Sequence, residues 1–277
     1  SDGSHERSPW FSCSCCPTNV ARFMPSLPGY IYAHQDNTVF VNLFISSTAN
    51  IQLKSGRLSI RQKSGFPWDG EVELSLSQKF SEAMTLAVRL PSWAIDKPLP
   101  GNLYSYMDMP SGNIIIKVNG KAFDYEEQNG YALIKRQWEE SDTVRIILPM
   151  EIQKVRANNK VSDNKGRMAI LRGPLVYCAE WVDNNSKARN LLVEPDVKLQ
   201  LKEESNLLNG INTIQGKAYA TRLDDNKKLI REEQQMKLIP YYAWAHRGNG
   251  EMMVWLPYEE EYARPCPPPG LASGNRK

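Results

Sequence analysis

Along most of this chain hydrophobic and polar residues alternate with a period of two. In residues 38–46, Val39, Val41, Leu43 and Ile45 fall on one face and Phe40, Asn42 and Phe44 on the other, which predicts a strand. Residues 57–62 and 70–77 alternate likewise, 85–90 forms a strand closed by Pro91, and 143–148 forms another. Asn119-Gly120 predicts a tight hairpin turn between the β-rich runs 114–118 and 121–125, and Asn129-Gly130 predicts a second before 131–135. The proline- and glycine-rich stretch 98–112 reads as a long loop. Short strands at this spacing predict a β-sandwich over residues 30–150.

A second all-β unit is expected over 151–257, with the boundary near Met150. Its apolar runs are 168–171 and 175–181, weaker strands fall at 191–201 and 212–221, and good ones return at 237–245 and 252–256. The charged stretch 224–235 reads as a solvated loop or edge, and 258–277 as a disordered tail in which Cys266 is an exposed thiol. A helical period occurs at one place, residues 18–24, with Pro25 and Pro28-Gly29 expected to end it. The fold class read from the pattern is therefore mainly β, two β-sandwich domains behind a short helical lead.

Composition narrows the function. With 277 residues, 41% of them hydrophobic and 23% charged, the chain has the make-up of a globular protein. A net charge of only +3, with no basic stripe interleaved with aromatics, argues against a nucleic-acid partner. No apolar run approaches the ~18 residues of a membrane span, and the cysteines are too few and too clustered for a disulfide scaffold.

Three of the five cysteines, Cys13, Cys15 and Cys16, fall within four positions. Adjacent cysteines rarely bridge each other, because a disulfide needs a particular separation of the two β-carbons. Metal binding, thiolate catalysis and inert burial remain open. Pro17 suits a first helical residue, which would set Cys15 and Cys16 at a helix N-terminus, where free N–H groups and the helix dipole stabilise a thiolate. A zinc site needs four ligands. The segment offers Cys13, Cys15, Cys16 and His5 for a local knuckle, or Cys15 and Cys16 alone as half of a site completed from elsewhere. Cys178 lies in an apolar run and reads as a core thiol. Trp68, Trp93, Trp181, Trp244 and Trp255 are candidates for a sugar-stacking surface or for core packing, Asp69 is a turn residue, and His34 and His246 have no partner at metal or triad spacing.

The run Arg7-x-x-Trp10-Phe11-x-Cys13-x-Cys15-Cys16-Pro17-x-Asn19-x-x-Arg22, followed by Leu27-Pro28-Gly29-Tyr30-Ile31-Tyr32, resembles the zinc-dependent β-L-arabinofuranosidases of glycoside hydrolase family 127. The resemblance continues through Phe66-Pro67-Trp68-Asp69-Gly70, Leu90-Pro91-Ser92-Trp93, Arg172-Gly173-Pro174-Leu175-Val176-Tyr177 and Ile239-Pro240-Tyr241-Tyr242-Ala243-Trp244, to about Pro257. Pro25 departs from the family pattern, in which this helix runs a few residues further.

The resemblance implies an (α/α)6 catalytic barrel followed by β-sandwiches, of which residues 1–29 are the C-terminal remnant of the barrel. It implies that Cys15 is the nucleophile and a zinc ligand, that Cys16 is a second Zn2+ ligand, and that the acid/base glutamate and the other ligands have no matching position here. The implied reaction is retaining hydrolysis of terminal β-L-arabinofuranosyl linkages in plant-type arabinose-containing oligosaccharides or polysaccharides, with this chain alone inactive. The implied architecture also allows strands to be shared between the sandwiches out of sequence order. The alternative is a non-catalytic carbohydrate-binding or interaction module with a structural cysteine cluster.

Overall fold

The computed structural model describes residue 7 and residues 13–268. Two units interleave along the chain: one runs up to Lys97 and resumes over Pro110–Glu151, the other takes Arg7, Pro98–Met109 and everything from Ile152.

Helix α1 (Cys15–Ser26) leads the first unit and is followed by the single turn α2 (Pro28–Ile31). The helix starts two residues ahead of Pro17 and is not stopped by Pro25. The amide that Pro25 lacks belongs to the last turn, and that turn is closed instead by Leu27 N–H and Ser26 Oγ, both donating to the Phe23 carbonyl at 3.1 and 2.7 Å.

Two sheets form the first unit. One carries, in spatial order, Tyr32–Gln35, Thr38–Val41, Met84–Arg89, Tyr131–Arg136 and Glu126–Gln128. The other carries Ser47–Leu53, Gly56–Ser64, Glu71–Leu76, Thr143–Ile147, Ile115–Val118 and Lys121–Ala122. Val39, Val41, Leu86, Val88 and Ile134 from the first sheet meet Leu58, Ile60, Leu74, Val144 and Ile146 from the second in one core, as expected of a sandwich. Both predicted hairpin turns form: Asn119 and Gly120 have φ of 51° and 78°, Asn129 and Gly130 of 52° and 77°. Such left-handed pairs are what a two-residue turn needs to follow the strand twist.

The expected strand over 38–46 is cut at Val41. Thr38–Val41 belongs to one sheet and Ser47–Leu53 to the other, so residues 42–46 carry the chain across. The alternation changes phase there: Phe44 turns inward and Ile45 outward.

The second unit is one continuous ten-stranded sheet, folded over two apolar clusters. Its main path is Leu191–Leu192, Ile211–Leu223, Leu229–Pro240, Leu175–Glu180, Arg167–Arg172, Ile152–Ala157 and Tyr104–Tyr106. The last of these lies inside the stretch expected to be a loop. It pairs with Ile152–Ala157, so a piece of the middle of the sequence completes the C-terminal unit. The stretch 191–201 breaks into Leu191–Leu192 and Leu199–Glu204 around Pro195, where Val197 N–H closes a turn on Glu194 O at 3.1 Å. The charged stretch read as a solvated loop or edge is a strand from Leu229 onward, inside the sheet between Ile211–Leu223 and Leu175–Glu180. Its charges are met across the hairpin, by Lys217 with Glu233 at 2.5 Å and Arg222 with Glu232 at 2.7 Å, so the ladder forms without an apolar outer face.

The expected disorder after Tyr258 does not extend over the described part of that segment. Cys266 N–H donates to Thr221 O at 3.0 Å and Leu223 N–H to Cys266 O at 2.8 Å, Arg231 pairs with Glu260, and Cys266 itself is half-buried. Residues 269–277 lie outside the described residues. Among the described residues no helix is long and apolar enough to cross a membrane.

Candidate active site

The cysteine cluster sits where α1 begins. Ser14 precedes the helix without a side-chain cap, and Cys15 and Cys16 are its first two residues. Their N–H groups are among those that no helical carbonyl reaches, so the thiols stand at the positive end of the helix. Thr18 Oγ1 donates to the carbonyls of Ser14 and Cys15 at 2.9 and 3.1 Å, and Asn19 Nδ2 donates to the Cys15 carbonyl at 2.9 Å. Arg22 Nη2 in turn holds Asn19 Oδ1 at 2.8 Å. Asn19 and Arg22 are part of the sequence motif, but their hold on the Cys15 peptide was not legible from it.

Cys13, Cys15 and Cys16 are all exposed and reduced. Cys15 Sγ lies 3.8 Å from Cys16 Sγ and 3.2 Å from Cys13 Sγ. Two Zn–S bonds of about 2.3 Å at the tetrahedral angle set their sulfurs roughly 3.8 Å apart. The Cys15–Cys16 spacing matches one edge of such a tetrahedron, and the Cys13–Cys15 spacing is too short for it. Among the described residues no group of three or more His, Cys, Asp or Glu side chains is placed to hold a metal ion, so the pair supplies half of a donor set. His5, the other local candidate, and Trp10, Phe11 and Ser12 of the motif lie outside the described residues.

The remaining cysteines are elsewhere. Cys178 is buried in the second unit, and burial pushes its thiol up to about 12. Burial also raises the Cys266 thiol. The tryptophans keep separate company: Trp93 stacks on Phe66 at 6.1 Å, Trp255 on Tyr104 at 5.8 Å and Trp244 on Tyr241 at 5.9 Å, while Trp68 is more than half exposed. Asp69 is the turn residue expected, its Oδ1 accepting the Glu71 N–H at 2.9 Å. His34 and His246 are both exposed.

Helix α1 buries none of its side chains against the described residues. Val20, Phe23 and Met24, with Tyr30 just beyond, are each more than half exposed, and the Phe23 and Tyr30 rings stack at 6.3 Å.

Two sequence models of one family cover most of the chain. Residues 38–150 match "Beta-L-arabinofuranosidase, GH127 middle domain" and residues 152–257 match "Glycoside hydrolase family 127 C-terminal domain". The curated non-reducing end β-L-arabinofuranosidase of Bifidobacterium longum subsp. longum is 32% identical over 266 residues, which cover 90% of this chain and 38% of that protein. A solved GH127 β-arabinofuranosidase superposes with a TM-score of 0.88 at 40% identity, over 95% of this chain and 41% of the other. The crystal structure of a GH127 β-L-arabinofuranosidase from Geobacillus stearothermophilus T6 gives a TM-score of 0.77 at 33% identity, over 91% of this chain and 39% of the other. The chain thus spans about two fifths of the length of these relatives, and by its paired domain matches it belongs to glycoside hydrolase family 127, of which it carries the middle and C-terminal domains.

Proposed function

We propose that this chain is part of a retaining β-L-arabinofuranosidase in which the Cys15 thiolate is the nucleophile and Cys15 and Cys16 are zinc ligands. The observation that carries this is the Cys15–Cys16 pair itself. Two exposed thiols lie 3.8 Å apart at the first turn of a helix, in a chain whose relatives are β-L-arabinofuranosidases. The exposed apolar side of α1 supports the rest of the reading, that further helices of a catalytic barrel pack there in the intact enzyme.

Cys15 would attack the anomeric carbon of a terminal arabinofuranosyl unit as the bond to the leaving oxygen breaks, and that oxygen would take a proton from a carboxylic acid outside this chain. The sugar would then be held on Cys15 as a thioether. Water, giving its proton to the same carboxylate, would displace the sulfur with a second inversion, so that configuration is retained overall. Bound at Cys15 and Cys16, zinc supplies stabilisation of the thiolate form. Asn19 and Thr18 fix the Cys15 carbonyl and with it the direction in which the side chain leaves the helix. The substrates would be plant-type oligosaccharides or polysaccharides that end in arabinofuranose.

In the intact enzyme, Cys15→Ser removes the soft nucleophile and is expected to abolish release of aglycone from an aryl β-L-arabinofuranoside. Near-normal turnover of that variant contradicts the assignment. The chain by itself, without the acid/base carboxylate, is expected to release no arabinose. Binding of the chain to an arabinan that survives mutation of both cysteines would favour a non-catalytic carbohydrate-binding role instead.

A further inference from the structure

The second unit holds a cavity of about 230 Å³, formed by the long hairpin of Ile211–Leu223 and Leu229–Pro240 and by the loop that precedes Leu191–Leu192. The register explains its lining. Residues directly opposite each other in an antiparallel ladder share a face, and every second residue returns to it. Leu238 opposite Ile214 and Met236 opposite Gly216 face the core. Further back along the same strand, Gln234 opposite Ala218 and Glu232 opposite Ala220 continue that face. Apolar side chains are expected there, yet the strand places an amide and a carboxylate, and both line the cavity with Ala220.

The covering loop is pinned along its length. Asn184 Nδ2 donates to Glu180 O and to Lys237 O, each at 2.9 Å, and Asn184 Oδ1 accepts the Lys237 N–H at 3.1 Å. Glu251 Oε2 accepts the Ala188 and Arg189 N–H groups at 3.0 and 3.1 Å. The Asn190 carbonyl accepts the Thr221 N–H at 2.9 Å and Thr221 Oγ1 at 2.8 Å. Fixed main chain thus holds the cavity, and a ligand meets it preformed.

Among the described residues, the ionised side chains of the lining are already paired: Lys187 with Glu251 at 3.8 Å, Glu232 with Arg222 at 2.7 Å and Glu233 with Lys217 at 2.5 Å. The amides are not all satisfied. Asn185 Nδ2 donates to Gln234 Oε1 at 2.7 Å, which leaves Gln234 Nε2 buried with no hydrogen-bond partner. Asn190 is 7% exposed, and its Oδ1 is likewise buried and unpartnered. Such atoms have given up water without a replacement. One of the two is a donor and the other an acceptor.

We propose that this cavity, made entirely by residues of the second unit, is a sugar-binding site that takes one neutral monosaccharide ring through its hydroxyls. A hydroxyl can both donate to Asn190 Oδ1 and accept from Gln234 Nε2. A charged ligand finds no free countercharge among the described lining residues. Drug-sized ligands need about 300–1,000 Å³, so a cavity of about 230 Å³ suits a single ring.

The test is a titration of the chain, isotope-labelled at its asparagine and glutamine side chains, with L-arabinose and in parallel with D-galactose. L-arabinose is chosen on the proposed substrate class, whereas the hydroxyl chemistry does not depend on it. The expected result is a saturable shift of the side-chain NH2 signals of Asn190 and Gln234, assigned by through-bond correlation. Asn190→Leu and Gln234→Leu, each removing one of the two groups, are expected to weaken binding about tenfold. Ala220→Leu, whose added bulk occupies the cavity, is expected to abolish it. The wild-type titration is read on the side chains themselves, so a variant that fails to fold does not blunt it. If D-galactose alone binds there, the site stands and the arabinose reading of the substrate loses support. No saturable shift with either sugar overturns the inference and leaves the two amides to water only. Binding undiminished in Gln234→Leu and Ala220→Leu also overturns it, because the sugar then sits elsewhere. Neither result touches the thiolate reading of Cys15, which has its own test in Cys15→Ser.

Discussion

Glu180→Gln offers the sharpest test of the energetics, because it keeps the shape of the side chain and removes one charge from a nearly closed network. The Glu180 side chain is 1% exposed, Asp183 9% and Arg247 15%. Burial alone would disfavour the Arg247 charge, but its bonds to Asp183 and Glu180 prevail and hold its pKa above the ordinary arginine value. Glu180 Oε1 accepts the Ala245 N–H at 3.2 Å, while Oε2 accepts Arg247 Nε at 2.9 Å. An amide can satisfy either the Ala245 N–H or the Arg247 guanidinium, but its own NH2 then opposes the other donor. Removing one partner of a buried ion pair costs about 3–5 kcal/mol. Asp183 stays with Arg247, so the expected loss lies at the lower end, about 3 kcal/mol. At about 2–4 °C per kcal/mol for a chain of this size, that is a fall of roughly 6–12 °C in Tm by scanning calorimetry at pH 7. The penalty should persist at 1 M salt, where the screening length is about 3 Å, because the pair is shielded from ions. Replacing both Glu180 and Arg247 by Met should recover much of the loss, since Asp183 still has Lys237 at 3.7 Å. A Tm within about 2 °C of wild type for Glu180→Gln, which is under about 1 kcal/mol, would refute the reasoning, for it would mean that solvent satisfies Arg247 as well as Glu180 does.

Two further outcomes follow from the same geometry. Burial works against the Asp142 charge, but the bonds from Asn119 Nδ2 at 2.6 Å and the Glu139 N–H at 2.9 Å, with Arg136 at 3.3 Å, hold its carboxyl below the ordinary range. A depressed carboxylate contributes stability above its unfolded pKa of about 3.9 and loses it as the pH falls through the lower folded value. Asp142→Asn should therefore cost about 1–3 kcal/mol in urea melts at pH 7, and the gap from wild type should close as the pH falls below about 4. A gap that widened in acid would reverse the assigned sign. In the reduced chain at pH 8, a thiol reagent should modify Cys13, Cys15 and Cys16 promptly and Cys178 only on unfolding, because Cys178 is buried and its thiol is pushed up to about 12. Prompt modification of Cys178 in the folded chain would contradict its placement.

Local rules were enough for much of the first unit. Val39 and Val41 point inward as their alternation requires, and Asn119-Gly120 and Asn129-Gly130 turn with the positive φ angles their types permit. The alternation misled at Leu43 and Ile45, because a period of two carries no sign of a chain changing sheets. Tyr104–Tyr106 hid among prolines and glycines. Its strand exists because Ile152–Ala157, far along the sequence, offers it a ladder, and local composition carries no trace of that partner. The candidate site divides in the same way. The cysteines stand out by type and spacing, whereas the Asn19 hold on the Cys15 carbonyl needs helical coordinates.

The central claim is that Cys15 bonds covalently to the sugar. The most direct measurement is rapid acid quenching of the full-length enzyme during turnover of an arabinofuranoside with a fast leaving group, followed by digestion and mass spectrometry of the peptide that carries Cys15. The account predicts one pentosyl unit on Cys15, chased off by water in the wild type and absent from Cys15→Ser. A pentosyl unit found on a carboxylate, with Cys15 unmodified, would contradict it.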